Sequence, residues 1–151
     1  MHPSFLFEVK VMAFSGYLIK VAKSSTATKA TLPLKYMQAK SYKVIPNRRQ
    51  DLDSYRDANG NLKRNVLSHT ASTISFQTKP MHNTDMENFM SIIRNHYSVT
   101  KEKKIFLEYW CPDTNSYSTG YFYVPDVEYN IDLVRSNSLV YYPTTIEFIE
   151  Y

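Results

Sequence analysis

The residues that could carry catalysis fall in one polar stretch of this 151-residue chain. The stretch holds a histidine with candidate acids and nucleophiles: His69, Asp51, Asp53, Asp57, Ser54 and Ser68. Their spacing matches no triad, and the chain contains no G-x-S-x-G, H-E-x-x-H or P-loop pattern. With only three glycines, a loop that cradles phosphate is also unsupported. The sequence therefore predicts no enzyme activity.

Metal and disulfide chemistry have little support in the sequence. The four histidines are scattered, without ligand-type neighbours at metal-binding spacing: His2, His69, His82 and His96. The single cysteine, Cys111, excludes an internal disulfide and leaves no cysteine cluster for zinc. We expect no cofactor and no metal, with Cys111 a small core residue near a strand end.

Basic and aromatic residues between positions 40 and 64 fit either nucleic acid or a protein partner. They are Lys40, Lys43, Arg48, Arg49, Arg56, Lys63 and Arg64, with Tyr42 and Tyr55 able to stack on bases. Three aspartates interrupt the run RRQDLDSYRD and would repel phosphate. Because arginine and carboxylate pair well across subunits, a protein interface is favoured over nucleic acid.

The net charge of +4 is unevenly distributed along the chain. Residues 1–64 hold twelve basic and four acidic residues, or +8, and residues 65–104 hold +2. Residues 105–151 hold one basic and seven acidic residues, or −6. Such polarity fits a basic surface for nucleic acid, and it equally fits head-to-tail association between copies.

The segment 46–72 is too long and too varied to be an ordinary turn, since connections beyond about 12–15 residues are usually functional or disordered. Apolar anchors recur within it, unlike in a disordered tether: Leu52, Tyr55, Leu62, Val66 and Leu67. DANG at 57–60 is a strong turn signal. We predict that the segment folds back as an irregular hairpin and acts as a docking arm.

Alternating apolar residues predict strands on both sides of one helix. Strands are expected at 5–11 and 17–22, within 34–45, and at 72–78, 105–110, 116–124 and 127–134, with two more reaching Tyr151. The strand within 34–45 is expected to stop at Pro46. Residues 23–31 are small and polar, which indicates a hairpin tip or flexible connection. Thr84 and Glu87 form a capping box at the start of a helix predicted near 84–97.

This order of elements predicts a β-dominated α+β fold in a single domain over residues 1–151. We expect two packed antiparallel sheets, as a β-sandwich or partial barrel, with the helix against one sheet. Thirteen tyrosines and runs such as YFYV and LVYY predict sheets that need cover on both faces, from the helix or from a neighbour. No apolar run approaches the roughly 20 residues that span a bilayer, so we expect a soluble, unexported protein.

Several segments resemble a family of small, uncharacterised siphophage tail proteins of phages and prophages that infect Gram-positive bacteria. The resemblance is carried by SGYLIKV, SYKVIPNRRQDLDSYRDANGNLKRNVLSHTAS, IIRNHYS, STGYFYVPDVEYNI and TTIEFIEY. It covers residues 15–151 apart from 23–31. Such proteins tend to begin near Met12, so the resemblance implies that residues 1–14 are an N-terminal extension.

The resemblance implies a tail-tube-like fold and a ring, with six copies expected, at the distal end of the tail. It also implies other tail proteins as partners (tube, tape measure and tip), no membrane, and DNA only as cargo in the channel. The protein would be part of the virion, made in the host cytoplasm. The interface residues implied or expected in the arm are Arg48, Arg49, Gln50, Asp51, Leu52, Asp53, Tyr55, Arg56, Asp57, Asn59, Gly60, Arg64 and His69.

The function expected from residues and resemblance together is structural: a distal-tail or baseplate-hub ring that joins tube to tip. A tail tube subunit or a tail terminator is an alternative, which copy number distinguishes. An alternative of another class is a DNA-binding or packaging accessory protein, for which salt-dependent DNA binding would be diagnostic.

Overall fold

The computed structural model describes residues 13–51, 55–63 and 66–151, and the strand expected at 5–11 lies outside this part of the chain. The strands are β1 Ile19–Ala22, β2 Ala30–Thr31, β3 Lys43–Asp51, β4 Tyr55–Arg56, β5 Leu62–Lys63, β6 Val66–Gln77, β7 Met81–His82, β8 Tyr97–Val99, β9 Lys104–Cys111, β10 Ser116–Tyr123, β11 Ile131–Val134, β12 Leu139–Tyr141 and β13 Thr145–Glu150. The helix α1 spans Asn83–Arg94.

Eight strands form one antiparallel sheet in the order β2-β1-β9-β10-β13-β6-β3, with β8 also paired to β9. A smaller sheet has the order β11-β12-β7, and β4 pairs with β5. The expected β-dominated α+β fold with two antiparallel sheets and one helix is confirmed. β1 and β2 pair as a hairpin that residues 23–29 connect, which matches the hairpin alternative for this segment.

The core lies between the large sheet and α1. Met86, Phe89, Met90 and Ile93 form the buried stripe of the helix, as its 3.6-residue period predicts. Phe89 is fully buried and makes an edge-to-face contact with Phe76 of β6 at 6.1 Å between ring centroids. The helix therefore covers one face of the sheet.

Three local predictions were wrong. The helix begins at Asn83 with His82 as its N-cap and has no side-chain cap, so Thr84 and Glu87 form no capping box. The helix also ends at Arg94, and Tyr97 already belongs to β8. Most of the strand expected within 34–45 is replaced by two 3-10 turns, Leu34–Tyr36 and Ala39–Ser41, before β3 begins.

Candidate functional site

The predicted docking arm is the hairpin formed by β3 and β6. Ile45 lies opposite Thr73 and Arg48 opposite Ala71, so β3 has one extra residue between these pairs. Pro46 falls in this bulge, and the strand continues to Asp51. The prediction that the strand stops at Pro46 was wrong, because a proline that cannot donate to a ladder is tolerated at bulges and on edge strands such as β3.

The outer turn of the arm is held by its own hydrogen bonds. Asp57 Oδ1 accepts from the backbone N–H of Asn59 at 3.0 Å and of Asn61 at 2.9 Å. Gly60 has φ +83°, the left-handed conformation that glycine adopts at little cost. Arg56 Nη1 donates to the Gly60 carbonyl at 3.0 Å. Several signature residues thus shape the turn, as the DANG motif predicts.

The thirteen predicted interface residues divide into three groups. Leu52, Asp53 and Arg64 lie outside the described residues. The second group is placed by its backbone in strands, with Arg48, Arg49, Gln50 and Asp51 in β3, Tyr55 in β4 and His69 in β6. The third group, Arg56, Asp57, Asn59 and Gly60, forms the turn. Their role at a subunit interface stays a prediction.

A second candidate surface lies on β11 and its flanks. All four β11 residues are exposed, and Val134 exposes 70% of its surface. Ile131 and Leu133 are also about half exposed, as are Tyr129 before the strand and Tyr142 after β12. Contiguous exposed apolar residues commonly mark an interaction site. We call Tyr129, β11 and Tyr142 the apolar edge.

An acidic groove of about 250 Å³ lies beside the apolar edge. It is lined by three carboxylates, Asp126, Glu128 and Glu147, and by no basic side chain. Asn130 joins it to the apolar edge, because the Asn130 carbonyl accepts from the backbone N–H of Tyr142 at 2.9 Å. Lys103 contacts Asp126 at 3.2 Å from outside the groove. The groove has the charge that attracts a basic partner.

Aromatic residues on the other face of the large sheet stack on one another. Tyr17 and Tyr117 lie 4.3 Å apart between centroids, and Phe14 meets the edge of Trp110 at 5.4 Å. Burial, with Glu108 nearby, raises the pKa of Tyr17 to about 12. The Tyr42 hydroxyl donates to the Trp110 carbonyl at 2.7 Å. Phe14 exposes 52% of its surface, whereas Tyr17, Trp110 and Tyr117 are half-buried against one another, so most of this cluster is less accessible than the apolar edge.

Within residues 13–51, 55–63 and 66–151, no group of three histidine, cysteine or acidic side chains could hold a metal ion. Cys111 is buried at the end of β9, as predicted. His96 follows α1, and its Nδ1 lies 2.6 Å from the Ile92 carbonyl. Among the described helices, none is long and apolar enough to cross a membrane.

Residues 12–151 match a family described as a family of unknown function (DUF6711). The chain belongs to that family. No curated protein matches this DUF6711 member.

A solved structure with a similar fold comes from the tail of an empty GTA (gene transfer agent) particle, obtained by helical refinement with sixfold symmetry. The sequences are 15% identical, the TM-score is 0.51, and the similarity covers 92% of this chain and 95% of the other. At this identity the comparison shows that the DUF6711 protein shares the fold of that tail subunit.

The sequence of this DUF6711 protein predicts the segment 46–72 as an arm, but it does not predict the apolar edge. The sequence VEYNIDLV at 127–134 predicts only a strand. The structure exposes every residue of β11. The available signal was the position of Tyr129, Ile131 and Leu133 among Glu128 and Asp132, which indicates an apolar surface with an acidic rim.

Proposed function

We propose that this protein is a structural subunit of a phage-like tail and assembles with copies of itself into a six-membered ring. The observation that carries the proposal is the fold similarity, over 92% of the chain, to a subunit from a tail with sixfold symmetry. The proposed role requires no catalytic residues. It needs surfaces that bind other subunits.

The exposed surfaces support this proposal. Ring closure requires heterologous contacts, in which two different patches of one subunit meet their complements on its neighbours. The β3–β6 arm and the apolar edge are two such patches. The arm is proposed to hold contacts through the thirteen interface residues named above, and tube, tape-measure and tip proteins are the proposed further partners.

Two positions within the tail fit a ring. The family resemblance favours a single ring at the distal end, a distal-tail or baseplate-hub protein that joins tube to tip. The helical symmetry of the GTA tail favours a subunit of stacked rings, that is, a tube protein. Quantitative mass spectrometry of tail particles distinguishes them: about six copies per particle indicate one ring, and many times that number indicate a tube.

Assembly of the purified full-length protein tests the ring directly. Sedimentation and negative-stain electron microscopy at rising concentration are expected to show closed rings with six subunits. A strict monomer at the highest concentration, together with absence of the protein from tail particles, would overturn the proposal. Salt-dependent binding to DNA by a monomer would instead favour the DNA-binding alternative, because released counterions make such binding weaken steeply with salt.

Alanine substitutions test the proposed role of the arm. Arg48→Ala and Asp53→Ala, each made separately, are expected to reduce tail assembly because they remove charges that pair across the contact. Lys29→Ala is the control, since Lys29 is exposed in the β1–β2 loop, away from the arm. Normal assembly in both arm variants would show that these charges make no essential contact.

A further inference from the structure

Two of the edge strands in the described part of this fold, β3 and β11, differ in charge, and both expose apolar residues. In the part of the chain that the structure describes, no strand pairs with the outer edge of β3 or of β11. Unpaired strand edges present rows of backbone donors and acceptors that readily pair with another chain. The outer edges of β3 and β11 are therefore two ready sites for strand addition.

The two edges belong to different sheets. β3 is the last strand of the large sheet, and β11 is the last strand of the small sheet β11-β12-β7. Because the two edges are different patches of one subunit, a contact from β3 of one copy to β11 of the next is heterologous, or head-to-tail. This is the type of contact that a closed ring requires.

The charges on the two edges are complementary. The β3 strand carries Lys43, Arg48 and Arg49 against Asp51, a net charge of +2. Residues 126–134 carry Asp126, Glu128 and Asp132 and no basic residue, a net charge of −3, of which the ion pair between Lys103 and Asp126 offsets one unit. Charges of opposite sign speed encounter and fix the register of a contact, whereas two like edges would repel.

Apolar exposure is present on both edges as well. Ile45 of β3 exposes 38% of its surface beside exposed Lys43. The apolar edge presents Ile131, Leu133 and Val134 beside exposed Asp132. Each edge thus combines apolar residues with charge, and strand addition uses main-chain hydrogen bonds for affinity and side chains for specificity.

We propose that the apolar edge and acidic groove of one copy receive the basic edge strand β3 of the next copy. The inference rests on the proposed function, because it names the surfaces through which the ring closes. Backbone pairing would join the small sheet of one subunit to the large sheet of the next, with Lys43 facing the carboxylates of the groove.

Cysteine pairs crosslinked by a short bis-maleimide test the contact in assembled rings of the full-length protein. Ile45→Cys with Val134→Cys is expected to give covalent oligomers up to the hexamer. Each single variant is expected to stay monomeric on a denaturing gel. Ile45→Cys with Val99→Cys is the matched control, because Val99 is an exposed valine in another short strand, β8.

Charge exchange tests the same contact without a crosslinker. Glu128→Lys in the groove and Lys43→Glu, each alone, are expected to raise the concentration needed for ring assembly about tenfold or more, and the double variant is expected to restore it. Lys29→Glu reverses an exposed charge in the β1–β2 loop and is expected to have no effect.

The outcomes separate the two proposals. Rings that form normally while the Ile45/Val134 pair gives no oligomers would overturn the β3–β11 contact and leave the ring intact. Crosslinking of Val134→Cys to itself would mean a symmetric contact and would also overturn it. A chain that never forms rings and is absent from tails would overturn the proposed function and this contact together.

Discussion

Thr78 and Thr144 bind each other through two hydrogen bonds at the junction between the two sheets. The Thr144 backbone N–H donates to Thr78 Oγ1 at 3.0 Å, and the Thr78 N–H donates to the Thr144 carbonyl at 2.9 Å. Both residues are buried. Because β6 leads through Thr78 to β7, and β12 leads through Thr144 to β13, this pair fixes the small sheet relative to the large one.

Thr78→Val is therefore expected to destabilise the protein, since it removes the acceptor of a buried N–H and leaves nearly the same volume. An unsatisfied buried donor costs about 1–3 kcal/mol of unfolding free energy, which urea denaturation measures. The control variant Thr119→Val, at an exposed position of β10, is expected to change the unfolding free energy by less than about 0.5 kcal/mol. Equal effects of the two variants would contradict this role of the Thr78 hydroxyl.

Phe89→Ala is expected to detach α1 from the sheet. Phe89 is fully buried and makes edge contacts with Phe76 and, at 6.0 Å between centroids, with Tyr36. Truncation of a buried phenylalanine costs about 3–5 kcal/mol, a large share of the total stability of a domain this size. Asn88→Ala, on the exposed side of the same helix, is the control for helix propensity. Guanidinium denaturation followed by circular dichroism measures the unfolding free energy of the Phe89→Ala and Asn88→Ala variants.

The stability of the fold is expected to fall above pH 10, because burial raises the pKa of Tyr42 and takes that of Tyr17 to about 12. Between pH 10 and 12 these tyrosines lose their protons more readily in the unfolded chain than in the folded one, so unfolding is favoured as pH rises. The Tyr42→Phe variant lacks one such group. Its unfolding free energy is therefore expected to fall less between pH 9 and pH 11 than that of the parent protein. Denaturation at both pH values measures this, and an equal loss in the two proteins would contradict it.

Local sequence patterns predicted the elements whose cause is local. The period of Met86, Phe89, Met90 and Ile93 identified the buried face of α1, and the DANG motif identified the outer turn of the arm. Pro46 was misjudged because its tolerance depends on the edge position of β3, which only the assembled sheet defines. The predicted capping box does not form, because the chain enters α1 directly from β7 and Thr84 lies inside the first turn.

The candidate surfaces show the same limit. The fold-back of segment 46–72 was predictable because the DANG turn signal is visible in the chain. The apolar edge was not, because alternation at Ile131 and Leu133 is the same for a strand whose apolar side is buried and one whose apolar side is exposed. Burial depends on which element covers the strand, and the described residues place only β12 beside β11.

The outer turn of the arm is expected to depend on the Asp57 carboxylate. Asp57→Ala removes the acceptor for the N–H groups of Asn59 and Asn61, whereas Asp57→Asn keeps an oxygen at that place. Hydrogen exchange in residues 55–63 is expected to become faster in the alanine variant and to change little in the asparagine variant, while exchange in β9 and β10 stays the same in both. If rings form through the arm, the alanine variant should also assemble less well, because a loosened hairpin must be ordered at the moment of contact. Fast exchange in both variants would show that charge, rather than the oxygen position, holds the turn.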